Sequence, residues 1–155
     1  MWDELASQIA LECQELEGLC EYYRPLLGQC SQSEPGRFEV SALATLLHSF
    51  YGGVENIFKR IALDVDGSLP AGKYWHRDLL NAMMRPSASR AAVIPVTLAI
   101  RLRSYLQFRH VFRSVYSSRL DWDRMAPLVL ECEETFRHLR EELARFLKDL
   151  EAQKR

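Results

Sequence analysis

From Leu79 to Leu120 the sequence has no aspartate, no glutamate and no lysine, yet it carries arginines at 85, 90, 101, 103, 109, 113 and 119. That stretch is +7 within a chain whose net charge is −1, so the remaining residues sum to −8. With no acids of its own, the segment cannot neutralise itself through neighbouring carboxylates on the same helix. Such asymmetry points to a polyanion or to an acidic partner surface. Arginine alone supplies the charge, and its planar fork matches the oxygens of a phosphate.

Other scarcities narrow the field. The four cysteines, Cys13, Cys20, Cys30 and Cys132, form no CxxC pair and have no histidine at finger-like spacing. A zinc site is not expected. Cys13 and Cys20 lie seven apart on one helical face, where a reduced thiol behaves as a small core residue. No apolar run reaches the roughly 18 residues that a membrane span needs. The start, "MWDELASQIALECQ", has acids where a signal peptide needs basic residues, so a cytoplasmic protein without membrane contact is expected. The loop "DVDG" resembles a calcium loop only in those four residues, because the later ligands are missing. Strand-like alternation, internal repeats and low-complexity tracts are all absent.

What remains is helix. Residues 1–155, with 48% hydrophobic content, suit one domain with a core of its own. Leu5, Ile9, Leu16, Leu19 and Tyr23 recur at helical spacing, and the first helix is expected to stop near Pro25 and Gly28. A second helix is expected from about Phe38 to Leu63, with Gly52-Gly53 allowing a kink or a close helix contact. A short third helix covers 74–84. Pro95 suits the first turn of a fourth helix that continues to about Tyr116. Asp121 is an N-cap for one last helix through "LKDL". The expected fold class is all-α: a bundle of four long helices plus a shorter one.

Within the fourth helix, Arg103 and His110 are seven residues apart, a rotation that returns to within about 20° of the same direction. They share a face, with Gln107 between them and Arg113 and Ser114 continuing the strip. Tyr105, Phe108 and Phe112 flank it. A histidine exchanges protons near neutral pH, and an arginine holds a phosphate and offsets its transition-state charge. RNA supplies its own nucleophile, the 2′-hydroxyl, so this pair is a minimal kit for cutting RNA without metal or cofactor. The same spacing also describes an ordinary solvated helix edge. His48, Tyr51 and Glu55 occupy i, i+3 and i+7 of the second helix, as a polar packing cluster or as the border of a cleft. His76 and His138 have no partner spacing and read as surface or rim residues.

The segment "LRSYLQFRHVFRSVY" followed by "LDW", together with "HSFYGGVENIFKRIA" and "WHRDLLNAM", resembles the HEPN-domain proteins, and among them the HepT-like toxins. Their motif is an arginine, four to six residues, then a histidine, on a long helix of an all-α bundle. Arg103-x6-His110 matches it at the upper spacing. The resemblance implies a metal-independent endoribonuclease in which paired subunits bring two motifs into one cleft. It also implies a toxin whose partner is a small nucleotidyltransferase antitoxin. In one branch that partner adenylylates a tyrosine two residues beyond the motif histidine. This sequence has Phe112 there, which offers no hydroxyl, and Tyr105 and Tyr116 are out of register.

Three functions follow as expectations. The first is a homodimeric ribonuclease toxin with Arg103 and His110 catalytic and with Arg109, Arg113, Gln107 and Tyr116 holding RNA. The second is a non-catalytic HEPN-like module that binds RNA, a nucleotide or an acidic protein. The third is a structural helical subunit whose arginines are buried against a partner's carboxylates.

Overall fold

The structure, a computed structural model, describes residues 2–154. Its helices are α1 (Asp3–Cys30), α2 (Arg37–Ile61), α3 (Trp75–Met83), α4 (Val96–Phe112), α5 (Trp122–Leu130) and α6 (Cys132–Gln153). No strand forms among the described residues, and the class is all-α. None of the described helices is long and apolar enough to cross a membrane.

The central element is α2, which packs against α1, α3, α4 and α5. Leu43, Leu47, Phe50, Val54, Phe58 and Ile61 lie along it at helical spacing and are all buried. Full burial of each such side chain stabilises the fold by about 1.5–3 kcal/mol. Gly36 precedes the helix, and Glu39 accepts a hydrogen bond from the Gly36 N–H at 2.9 Å, tying down a free donor of the first turn. At the other end the chain loosens into a π-helical turn, Ala62–Asp66, closed by Gly67 at φ 85°, a left-handed conformation that favours glycine. Gly53 explains the close approach of α1: a Cβ there would stand 2.6 Å from Cδ2 of Leu16, whereas Gly52 faces open space.

Three boundaries differ from the sequence expectation. Helix α1 runs through Pro25 to Cys30, because Leu26 and Leu27 pack against the core and Cys30 is buried in it. That packing outweighs the one backbone hydrogen bond the proline forfeits. Helix α4 ends at Phe112 rather than near Tyr116; Ser114 donates from Oγ to the Val111 carbonyl at 3.0 Å, an alternative to continuing the helix. The expected last helix is two helices separated at Glu131. Asp121 does cap the first of these, its Oδ1 accepting from the Asp123 N–H at 3.0 Å. At the break, the Tyr105 hydroxyl donates to the Leu128 carbonyl at 2.7 Å and Thr135 Oγ1 donates to the Glu131 carbonyl at 2.8 Å. The turn is thereby pinned to α4.

Candidate functional site

Helix α4 has two differently used faces. Leu98, Leu102 and Tyr105 point into the core. Val96, Ile100, Gln107, His110 and Val111 are exposed, and Arg103 is half-buried among them. These latter positions fall within one stripe at helical spacing. Arg103 and His110 line one groove of about 500 Å³ between α4 and the start of α3. Gln107 and Arg113 line it too, while Tyr116 is exposed outside it. Arg103 is steadied by Asn81 of α3, whose Oδ1 accepts from Nη2 at 3.1 Å. One end of its fork is thus fixed to the wall.

Arg109 also borders the groove, but its charge is paired with Glu55. Expected on the RNA-binding face, it is instead turned inward, with only 5% of its surface exposed. Its Nη2 donates to both carboxylate oxygens of Glu55, at 3.0 and 2.9 Å, and its guanidinium lies 5.0 Å from the centre of the Tyr51 ring. Burial, with Glu55 close by, pushes the Tyr51 phenol well above its ordinary range. The Tyr51–Glu55 pair noticed along α2 is therefore a buried receptor for an arginine of α4. His48, one turn earlier, sits with its ring 5.6 Å from Phe112. Its buried Nδ1 has no hydrogen-bond partner among the described residues. Burial first, then Arg109 and Arg113, hold its pKa below the ordinary imidazole range.

His76 was read as a rim residue without partners, and the fold supplies one. Its Nδ1 stands 2.6 Å from Glu55 Oε2 while 27% of the side chain stays accessible on the groove side. Lys73, Tyr74 and Arg77 join it in the groove wall. Tyr74 is 55% exposed, with the Arg77 guanidinium 4.7 Å and the Lys73 ammonium 5.7 Å from its ring centre. Lys73, Tyr74 and Arg77 were not singled out in the sequence. The run "KYWHRD" carried the signal, but Asp78 separates it from the acid-free segment that drew attention.

The groove is cationic: Lys73, Arg77, Arg103 and Arg113 line it with the Glu55-paired Arg109, and none of the described residues lining it is a carboxylate. The count of seven arginines overstates the free charge. Asp66 takes both Nε and Nη2 of Arg90 at 2.8 Å, and Glu55 takes Arg109, so acids from outside the segment compensate two of them. Arg101 donates to Thr135 Oγ1 at 2.7 Å and serves packing between α4 and α6. Among the described residues no cluster of histidine, cysteine and carboxylates has the arrangement a metal ion needs. What the groove offers is anion binding, an aromatic face and two imidazoles.

A family model described as HepT-like protein matches residues 42–150, which takes in nearly all of α2 and the whole of α3, α4 and α5. Comparison with curated proteins gives no match, and comparison with solved structures gives none. With the match covering most of the bundle, the chain belongs to the HepT-like family of the HEPN superfamily.

Proposed function

We propose that this protein is a metal-independent endoribonuclease, the toxin of a toxin–antitoxin pair, cutting RNA with Arg103 and His110. The observation that carries this reading is the shared groove: both side chains line it, Lys73, Arg77 and Arg113 line it with them, and none of the described residues lining it is a carboxylate. A polyphosphate chain is attracted there, and an anionic transition state meets no fixed negative charge. Arg103 holds the scissile phosphate, and its contact with Asn81 limits the freedom lost on binding. His110, exposed on the groove, exchanges protons with the reacting hydroxyls. Arg113 and Gln107 extend the contact along the strand, and Tyr74 offers a face on which an unpaired base stacks.

The site is proposed to be completed by a second copy. Val96, Ile100 and Val111 are each more than half exposed on the stripe that carries the motif. An apolar band on that face is suited to a two-fold contact that brings two grooves together. For a nucleotidyltransferase-type antitoxin, position 112 offers no acceptor. Phe112 lacks a hydroxyl, and its half-buried ring is stacked on Phe108 at 5.9 Å between centres. We propose that such an antitoxin, if it is the partner, controls the toxin without modifying that position.

The test is cleavage of single-stranded RNA by the parent, His110→Ala and Arg103→Ala proteins. Each substitution should lower the rate by about 10²–10⁴-fold. RNA binding should persist in His110→Ala. Arg103→Lys should recover only part of the loss, because a point charge does not reproduce the fork. Variants that cut as fast as the parent would remove these two residues from the chemistry and leave an RNA-binding module.

A further inference from the structure

The groove holds a second imidazole, and its surroundings are unusual for a rim residue. His76 belongs to α3, but its Nδ1 reaches Glu55 of α2 at 2.6 Å, and Arg109 of α4 binds the same carboxylate. Three helices thus converge on one ring. The protonation pattern follows from counting donors. The Arg109 Nη2 donates to both Glu55 oxygens, at 3.0 and 2.9 Å. A carboxylate in that position only accepts. His76 Nδ1 must therefore carry its hydrogen toward Oε2, since two lone pairs do not approach to 2.6 Å. The 3.0 Å approach of Arg109 Nη2 to the same nitrogen is then proximity, not a hydrogen bond.

In the neutral ring, a hydrogen fixed on Nδ1 leaves Nε2 with its lone pair free. The Trp75 ring lies 3.7 Å from the imidazole centre to centre and restricts its rotation. A buried carboxylate that fixes tautomer and orientation, and stabilises the imidazolium once formed, is the device by which a histidine becomes an effective base. The carboxylate itself is shielded, with 6% of its side chain accessible, so it supports the ring without facing the polyanion.

We propose that His76 is a catalytic general base of this chain and that Glu55 is its positioning residue. This rests on the ribonuclease reading above and adds a division of labour to it. His76 Nε2 takes the proton of the 2′-hydroxyl as O2′ attacks phosphorus. The O2′–P bond forms while the P–O5′ bond breaks. His110, entering as imidazolium, gives its proton to the departing O5′. The products are a 2′,3′-cyclic phosphate and a 5′-hydroxyl; no water, metal or redox partner is consumed, and the two imidazoles exchange one proton with solvent before the next turnover.

Two substrates separate the roles. One is single-stranded RNA; the other is a ribonucleoside 3′-nitrophenyl phosphodiester, whose leaving group departs without a proton. Both are assayed in chelator. His76→Gln keeps a donor for Glu55 and preserves the packing, which an unchanged melting temperature checks. It should lose about 10²–10⁴-fold on both substrates, because both need the base. His110→Ala should lose far more on RNA than on the aryl ester. A His76→Gln protein that is folded and cuts RNA at the parental rate overturns the proposal. So does a loss confined to RNA, which would make His76 the acid. A parent that cuts neither substrate sinks the ribonuclease reading, and this proposal falls with it.

Discussion

Arg109 and Arg113 lie one turn apart on or just beyond α4, and only one of them is held out of water. Arg109 is 5% exposed on Glu55, whereas Arg113 is exposed at the groove. Removing one partner of a buried ion pair strands the other charge, at about 3–5 kcal/mol. Arg109→Ala should therefore destabilise the fold by about that amount, and Arg113→Ala should stay within about 0.5 kcal/mol. Urea unfolding of the two variants measures this, and equal small losses would contradict the assignment. His48 gives a second check. Its folded pKa is depressed, chiefly by burial, so as pH falls the unfolded chain takes up this proton first. The stability that a neutral His48 contributes is complete above the unfolded value near 6.5 and declines as pH falls through it. His48→Leu should consequently lose less melting temperature than the parent between about pH 7.5 and 5.5. A steeper loss in the variant would count against a depressed pKa.

At the scale of the helix, the two glycines of α2 make opposite predictions. Gly52 faces open space, so Gly52→Ala should stabilise by about 0.5–1 kcal/mol through helix propensity. Gly53→Ala pushes a methyl against Leu16, itself buried at 3% exposure, and should destabilise by about 1–3 kcal/mol. Thermal melts that rank them the other way would refute the close α1–α2 packing. How far such elements were legible in the sequence depends on whether their cause is local. The helices, the Asp121 cap and the Arg103–His110 stripe arise from periodicity and neighbouring residues, and they were readable. Arg109 was expected on the RNA-binding face because of its charge, although it lies four residues after Tyr105 and seven after Leu102, on the core register. What waits at that position is Glu55, 54 residues away, and no spacing rule joins them. The same holds for His76, whose partner is set by how α3 crosses α2. The continuation of α1 through Pro25 was hidden because tertiary burial, not propensity, decided it.

For the whole molecule, the acid-rich and arginine-rich parts of the chain meet selectively. Glu55 and Asp66 neutralise arginines that build the fold, while Lys73, Arg77, Arg103 and Arg113 line the groove, where none of the described lining residues is a carboxylate. The exposed band of Val96, Ile100 and Val111 beside that groove predicts self-association. Ile100→Glu, at a site 55% exposed and so harmless to folding, should shift sedimentation from dimer to monomer and lower RNA cleavage with it. A parent that sediments as a monomer at micromolar concentration while cutting RNA would refute a composite cleft. The central claim, that Arg103 and His110 make this bundle a metal-independent ribonuclease, is tested most directly by the ends of the RNA it leaves. Purified protein incubated with single-stranded RNA in EDTA should generate fragments ending in a 2′,3′-cyclic phosphate, or its hydrolysed monophosphate, with a 5′-hydroxyl on the other side of each cut. Intact RNA, or fragments with a 3′-hydroxyl and a 5′-phosphate, would contradict it.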